Sequence, residues 1–369
     1  MSFQSTPLTS NPGFLARYLS LEQPPNKIQI TYVFLHPGND GQAHFSCKTK
    51  VVLEVPKQAS DLPIWDCGIP TDSRVEILLR PVQLYNDPFR GGNNKLVLCD
   101  LLSADMKPLP SNHRASCVEA MDAVKHEHPW FGLEQEYMLM DGINPKWPLG
   151  WPKNGYPEPI SMPHVLYHSA VGTGSNVGRD VMEAHFRACL YAGVNICGEN
   201  AEAMLAQWEY QVGPCEGIRI GDDVMMSRYI LLRVAEDLQI GVSFDPRPIP
   251  GWLGAGAHMN FSTDKTRAPG GLAEIERAID RLSKRHDKHL SLYDPNGGAD
   301  NARRLTGSEY YASDGNKFTS CVGNRGASVR VPKQVAQKGM GYMEDRRPAS
   351  NCDPYVVSEA LVRTCLLNE

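Results

Sequence analysis

The sequence predicts an α+β protein in two parts, a small β-rich unit followed by a larger mixed one. Three observations carry this reading. Between about residues 27 and 100, short stretches of alternating apolar and polar residues are separated by turns rich in Gly, Pro, Asn and Asp. After Pro108 the spacing of Ala, Val, Met and Leu becomes helical over 112–127 and 178–193. With 369 residues, 41% of them hydrophobic, the chain is long enough for several domains and a sizeable core. The expected division is an extension at 1–26, a β-rich domain at 27–107 and a larger domain at 108–369.

Taken in order, Ile28-Gln29-Ile30-Thr31-Tyr32-Val33-Phe34, Val51-Val52-Leu53 and Lys95-Leu96-Val97-Leu98-Cys99 read as strands. Pro37-Gly38-Asn39-Asp40-Gly41 and Arg90-Gly91-Gly92-Asn93-Asn94 read as turns between them. Residues 143–163 carry six prolines and are expected to form a long loop. Residues 205–212 alternate as a strand does. Ile275, Ala278, Ile279 and Leu282 recur at helical spacing with charges on the other faces, the pattern of an amphipathic surface helix.

Composition removes several function classes. The net charge is -5 with a pI near 6.1 and the basic residues are scattered, so no positive stripe awaits a nucleic acid. No apolar run is long enough to span a membrane, and Met1 to Pro12 lacks an apolar signal core. Ten cysteines occur without a C-x-x-C pair, which suggests reduced thiols and a cytosolic protein.

Acidic residues carry the chemistry. Glu134 and Glu136 stand two apart in Trp130-Phe131-Gly132-Leu133-Glu134-Gln135-Glu136-Tyr137, so on a strand their carboxylates share a face. Either that face is solvated, or a cation offsets the repulsion and desolvation. Alternation from Leu205 puts Gln207, Glu209 and Gln211 on one face, with Glu202 on the preceding turn. Hard oxygen ligands of this kind suit Mg2+ or Mn2+. His258 lies in Gly254-Ala255-Gly256-Ala257-His258, where the glycines permit close backbone approach, although a lone histidine is ordinarily a satisfied core residue. Glu344 stands beside Asp345, Arg346 and Arg347, a run that could equally be a surface charge cluster. Arg303, Arg304, Arg325 and Arg330 offer guanidinium groups suited to phosphate or carboxylate.

Together these runs, with Phe244-Asp245-Pro246, Tyr293-Asp294-Pro295, Asn301 to Gly307 and Glu344 to Leu367, resemble the eukaryotic-type glutamine synthetase family from about Lys48 to Glu369. The resemblance implies a β-grasp-like N-terminal domain and a catalytic domain with a curved antiparallel sheet flanked by helices. It implies ATP-dependent ligation of ammonia to glutamate, with Mg2+ or Mn2+, in two stacked rings, ten subunits in all, whose sites lie between neighbours. By resemblance Glu136, Glu202 and Glu209 form one metal site, and Glu134, His258 and Glu344 the other. Trp130, Ser262, Arg325, Arg330 and Tyr342 match positions near nucleotide or phosphate. Gly254, Arg304, Arg325 and Arg346 match positions for glutamate or its acyl-phosphate, with Glu134 and His258 beside them. Arg304, Arg325, Arg346 and the flap residue Glu309 match catalytic positions.

Three departures fall near the ammonium pocket. Where the family carries Asp-Gly-Ser-Ser, this chain reads Trp65-Asp66-Cys67-Gly68-Ile69-Pro70-Thr71-Asp72-Ser73, so Asp66 and Asp72 are the available substitutes. A family tyrosine becomes His168, with Tyr167 beside it. The flap reads Leu305-Thr306-Gly307-Ser308-Glu309 in place of a Phe-His-Glu-Thr continuation. A γ-glutamyl ligase for another amine, or a non-catalytic ring subunit, are the alternatives these departures leave open.

Overall fold

In a computed structural model, the described residues are 17–38, 43–69, 72–142, 147–152, 167–307 and 313–369. Two sheets organise them. The first has five strands in the order β2-β1-β5-β4-β3: β1 (Ile28–Pro37), β2 (Ala43–Val52), β3 (Trp65–Ile69), β4 (Asp72–Asn86) and β5 (Lys95–Leu102). All neighbours are antiparallel except β1 and β5. Ile30, Tyr32 and Phe34 of β1 enter a small core with Ile77, Leu79 and Val97. Val33 on the other face joins the main core with Leu96 and Leu98. Burial on both faces is why β1 reads as a nearly continuous apolar run.

The second sheet runs β11-β12-β13-β10-β6-β8-β7, with β9 also pairing to β6. Its strands are β6 (Trp130–Asp141), β7 (Ile196–Ala201), β8 (Gln207–Glu216), β9 (Ile240–Ser243), β10 (Ala257–Ser262), β11 (Ser320–Val322), β12 (Val329–Val331) and β13 (Met343–Asp345). The pairing is antiparallel apart from β11 with β12. Helices flank this curled sheet, so the chain is α+β.

Helices His113–Ala123 and Arg179–Ala192 form where the spacing predicts, and Leu272–Ser283 buries Ile275, Ala278 and Leu282. The longest described helix, Arg219–Asp237, is buried nearly all round, charged residues included. Its Asp222 accepts hydrogen bonds from Arg114 at 2.7 and 3.0 Å and from the Tyr355 hydroxyl at 2.6 Å. Asp223 accepts one from Tyr85 of β4 at 2.8 Å, which ties the small sheet to the larger body. Of the proline-rich stretch only 147–152 is described; there Pro148 bridges to Met140 of β6. All ten cysteines are free thiols. No helix among the described residues is long and apolar enough to cross a membrane.

Candidate active site

Strand register builds the site. On one side of β6, Glu136 faces Glu209 of β8; on the other, Glu134 faces His258 of β10. Further along, Asn260 faces Glu344 of β13, and Glu344 faces Arg330 of β12. Because side chains alternate across a sheet, all of these project from one face. Leu133, Gln135 and Tyr137 project from the other and are buried. Glu202 joins from the turn after β7, its carboxylate accepting the Ala203 N–H at 2.9 Å.

Two sets result, Glu136 with Glu202 and Glu209, and Glu134 with His258 and Glu344. Within each set the potential ligand atoms lie within 4.8 Å of one another. In the first set Glu136 accepts from the Gly256 N–H at 3.0 Å and the Gln207 amide at 3.4 Å, and Glu209 accepts from the Gln211 amide. Basic groups near this set include His258 Nε2, 3.8 Å from Glu136, and His168 Nε2, 3.9 Å from Glu202, and the Arg304 and Arg346 charges also act on Glu136. Burial and then the Glu202 charge push Glu136 up to about 8. Burial and the three other glutamates push Glu209 well above the usual carboxylate range. Buried carboxylates crowded this way fit a hard divalent cation, which restores their ionised form.

The second set is balanced by the protein itself. Glu344 accepts from Arg346 Nη1 at 2.6 Å and from Arg330 Nε. Glu134 accepts from Asn260 at 3.0 Å and lies 3.3 Å from His258 Nδ1. Burial and then the Arg346 charge hold His258 well below its ordinary value, leaving a neutral imidazole with a lone pair to offer. The histidine is thus both buried, as a core histidine would be, and part of a ligand-grade set.

A cavity of about 310 Å3 opens over both sets and is also lined by Gly254, Arg304, Arg325 and Arg346. Arg304 is buried, donating to Asn301 Oδ1 at 3.0 Å and to the carbonyls of Arg346, Arg347 and Pro348 at 3.2, 2.8 and 2.9 Å. Gly254 makes room for it, since a Cβ there would overlap Arg304 Cγ. A second cavity of about 500 Å3 is lined by Trp130, Ser262 and Tyr342 and shares Glu134 with the first. In its wall the Arg267 guanidinium stacks 4.1 Å from the Trp130 ring and donates to Ser262 Oγ at 2.9 Å.

Most sequence-derived positions therefore converge. Arg303 instead pairs with Asp245 at 2.9 Å, away from the cavity lining. His168 lines the first cavity, whereas Tyr167 packs against the core. Asp66 is exposed on β3, and the lining described for both cavities contains nothing from β1–β5. The Asp72 side chain and Glu309 lie outside the described residues. Sequence reasoning missed Arg267, for which no spacing signal existed. The close backbone approach expected of the glycines before His258 is seen at Gly256, where a Cβ would stand 2.8 Å from His258 Nε2.

Comparison with known proteins agrees with this geometry. A family profile described as "Glutamine synthetase, catalytic domain" matches residues 114–285. Glutamine synthetase of Panulirus argus is 53% identical over 98% of this chain and 99% of its own length. Those of Mus musculus and Homo sapiens are 51% and 49% identical, each over 97% of this chain and 95% of theirs. The chain belongs to the eukaryotic-type glutamine synthetase family.

Proposed function

We propose that the chain ligates ammonia to the γ-carboxylate of glutamate at the expense of ATP, through γ-glutamyl phosphate, giving glutamine, ADP and phosphate. The observation that carries this is the convergence of two ligand-grade sets and three arginines on one cavity that adjoins a second, aromatic-walled one. Glu136, Glu202 and Glu209 would hold one Mg2+ or Mn2+, and Glu134, His258 and Glu344 another. Bound there, such ions neutralise phosphoryl oxygens and polarise the transferred group.

The protein's own residues meet the rest of the problem. Glutamate's carboxylate oxygen must attack the γ-phosphorus of ATP, expelling ADP, so two anions have to approach. Arg304, Arg325 and Arg346 place fixed positive charge where that negative charge gathers, with little reorganisation because Arg304 and Arg346 are already held by hydrogen bonds. Trp130, Ser262 and Tyr342 supply a wall for the nucleotide, with Arg330 toward its phosphates. Ammonia nitrogen then attacks the acyl carbon, phosphate leaves, and the proton shed by nitrogen passes to a carboxylate. Glu309 of the flap is assigned that role, together with exclusion of water.

The chain also assembles, on this reading, into a decamer of two stacked rings in which a neighbour's N-terminal domain completes the site. Support comes from the first cavity, whose described lining draws only on residues from Glu134 to Arg346. Free thiols throughout suit a reducing cytosol.

The test separates the two half-reactions. Phosphoryl transfer relies on residues the cavity brings together, whereas the ammonium-capturing carboxylate of the family is displaced in sequence. Phosphate release and γ-glutamyl product are measured with ammonium and with hydroxylamine across pH. Hydroxylamine, largely neutral near pH 7, should be used comparatively well, and ammonium should show a raised KM at that pH. Absence of glutamate-dependent phosphate release with every nucleophile would refute the ligase reading.

A further inference from the structure

Behind the metal-facing side of β6 lies a buried polar knot that none of the roles above uses. Gln135 stands between Glu134 and Glu136 and points the opposite way, with no exposed surface. Its Oε1 accepts two hydrogen bonds from Arg228, from Nε at 2.8 Å and Nη2 at 2.6 Å. Its Nε2 donates two more, to the carbonyls of Glu136 and Ser350, both at 2.9 Å. All four of the amide's hydrogen-bonding positions are filled. Arg228, buried on helix Arg219–Asp237, donates also to the carbonyls of Cys352 at 2.8 Å and Ser350 at 3.2 Å, and lies 5.3 Å from the Phe244 ring. Its hydrogen-bond acceptors among the described residues are all neutral oxygens.

A buried cation balanced only by neutral oxygens is an expensive way to fill a core, where a methionine would occupy similar volume. Its planar fork does what an apolar side chain cannot, fixing several oxygens at once. Those oxygens lead to the cavity. Ser350 N donates to the Ala255 carbonyl at 3.3 Å, and Ala349 bridges to Gly256. The Pro348 carbonyl accepts from Ala257 N at 3.0 Å and from Arg304 Nη2 at 2.9 Å. Gly256 in turn exchanges hydrogen bonds with Glu136, donating to its carboxylate at 3.0 Å and accepting its N–H at 3.1 Å. The second cavity's Trp130, Ser262 and Tyr342 stand outside this chain of contacts.

We propose that Gln135 and Arg228 are positioning residues for the first cavity, locking Glu136, Gly254 to Ala257 and the carbonyls that hold Arg304 into one register. The proposal rests on the ligase reading of that cavity. It predicts an asymmetry, in which metal and glutamate binding depend on the knot and nucleotide binding does not.

The experiment uses the assembled full chain carrying Gln135→Met with Arg228→Met, and separately Arg228→Lys. Three readouts are taken: the melting temperature, free Mn2+ by electron paramagnetic resonance during titration without substrates, and initial rates with glutamate and ATP varied independently. In the double variant the melting temperature should stay near that of the parent, while the Mn2+ Kd and the glutamate KM each rise about tenfold. The ATP KM should change by less than about twofold, since that pocket lies outside the knot. Arg228→Lys, which keeps the charge and stem without the fork, should show the same pattern and serves if the double variant does not assemble. Parent-like Mn2+ and glutamate constants in whichever variant assembles would overturn the proposal, as would an equal rise in both substrate constants. A parent chain that binds Mn2+ but never releases phosphate would instead count against the ligase reading, and the Mn2+ titration would still decide the knot.

Discussion

Replacing Gly254 with alanine isolates one steric requirement. The glycine's backbone lies outside the left-handed region, so an L-residue can adopt its conformation. On unfolded-chain entropy alone, alanine would stabilise the protein by about 0.4–1 kcal/mol. Packing reverses the sign. The new Cβ would overlap Arg304 Cγ, lie 3.0 Å from Arg304 Cδ and 2.8 Å from the Pro246 carbonyl oxygen. Arg304 has little freedom to retreat, because it is 5% exposed and its guanidinium is held by three carbonyls and Asn301. Forcing a methyl group into such a site costs about 1–3 kcal/mol, so the net change runs from about zero to a loss of about 2.6 kcal/mol.

Function should suffer more than stability. A guanidinium displaced by about 1 Å from its working position can cost about a hundredfold in rate. Gly254→Ala should therefore lower kcat/KM for glutamate by about 10- to 100-fold, with a drop of only a few degrees in melting temperature. Steady-state kinetics with glutamate varied at saturating ATP, beside a thermal melt, provide the check. An alanine variant with the parent's glutamate kinetics and an unchanged or higher melting temperature would refute the steric argument.

Three further outcomes follow from the same structure. Glu136 and Glu209 have folded-state pKa values above their unfolded ones, so the folded chain holds extra protons between about pH 4.5 and 8. Their contribution to stability is fully present below the unfolded value and is lost as pH rises through the folded one; without metal, the melting temperature should fall across that window. Mn2+ should raise it, and more at pH 8 than at pH 6, because the ion displaces those protons. Light scattering should give a closed multisubunit particle, and a concentration-independent species of 40.9 kDa would refute ring assembly. His113 Nδ1 donates to the Asp353 carboxylate at 2.8 Å, and that hydrogen bond raises its pKa. Its contribution is present below about pH 6.5 and lost as pH rises through the folded value. His113→Ala should thus destabilise more at pH 6 than at pH 8.5, by under about 1 kcal/mol since the imidazole is 46% exposed.

What was legible in the sequence follows from how each element is buried. Strand periodicity exposed β1, β5, β6 and β8, and placed Glu134 with Glu136 and Gln207 with Glu209 on shared faces. Periodicity also found the helices His113–Ala123 and Leu272–Ser283, which keep one side wet. It passed over Arg219–Asp237, a helix whose Asp222, Asp223 and Arg228 are buried although such residues read in sequence as solvent-facing. Cross-strand register was invisible, because nothing local tells Glu134 that His258, 124 residues on, will stand opposite. Resemblance supplied that pairing, not composition or spacing. The Arg228–Gln135 knot could not be read at all, since a glutamine between two glutamates looks like one more solvated polar residue.

The two ligand sets differ in how far the protein balances their charge, and the difference sets what a metal ion gains at each. Glu344 already receives two guanidinium groups, and His258 is neutral. A divalent ion arriving there meets two carboxylates and two nearby arginines, so its net attraction is modest until phosphate oxygens add their charge. Glu136, Glu202 and Glu209 have amide donors, two distant histidine nitrogens and, acting on Glu136, the Arg304 and Arg346 charges, which offset burial and the Glu202 charge only in part. Burial, and after it the Glu202 charge, push Glu136 up to about 8. An ion bound by that trio relieves repulsion the fold has left standing, whereas an ion at the second set must share its ligands with arginines. On the proposed ligase reading, the trio is therefore expected to fill before the second set, and a Mn2+ titration in which both sites fill equally without nucleotide would refute this order.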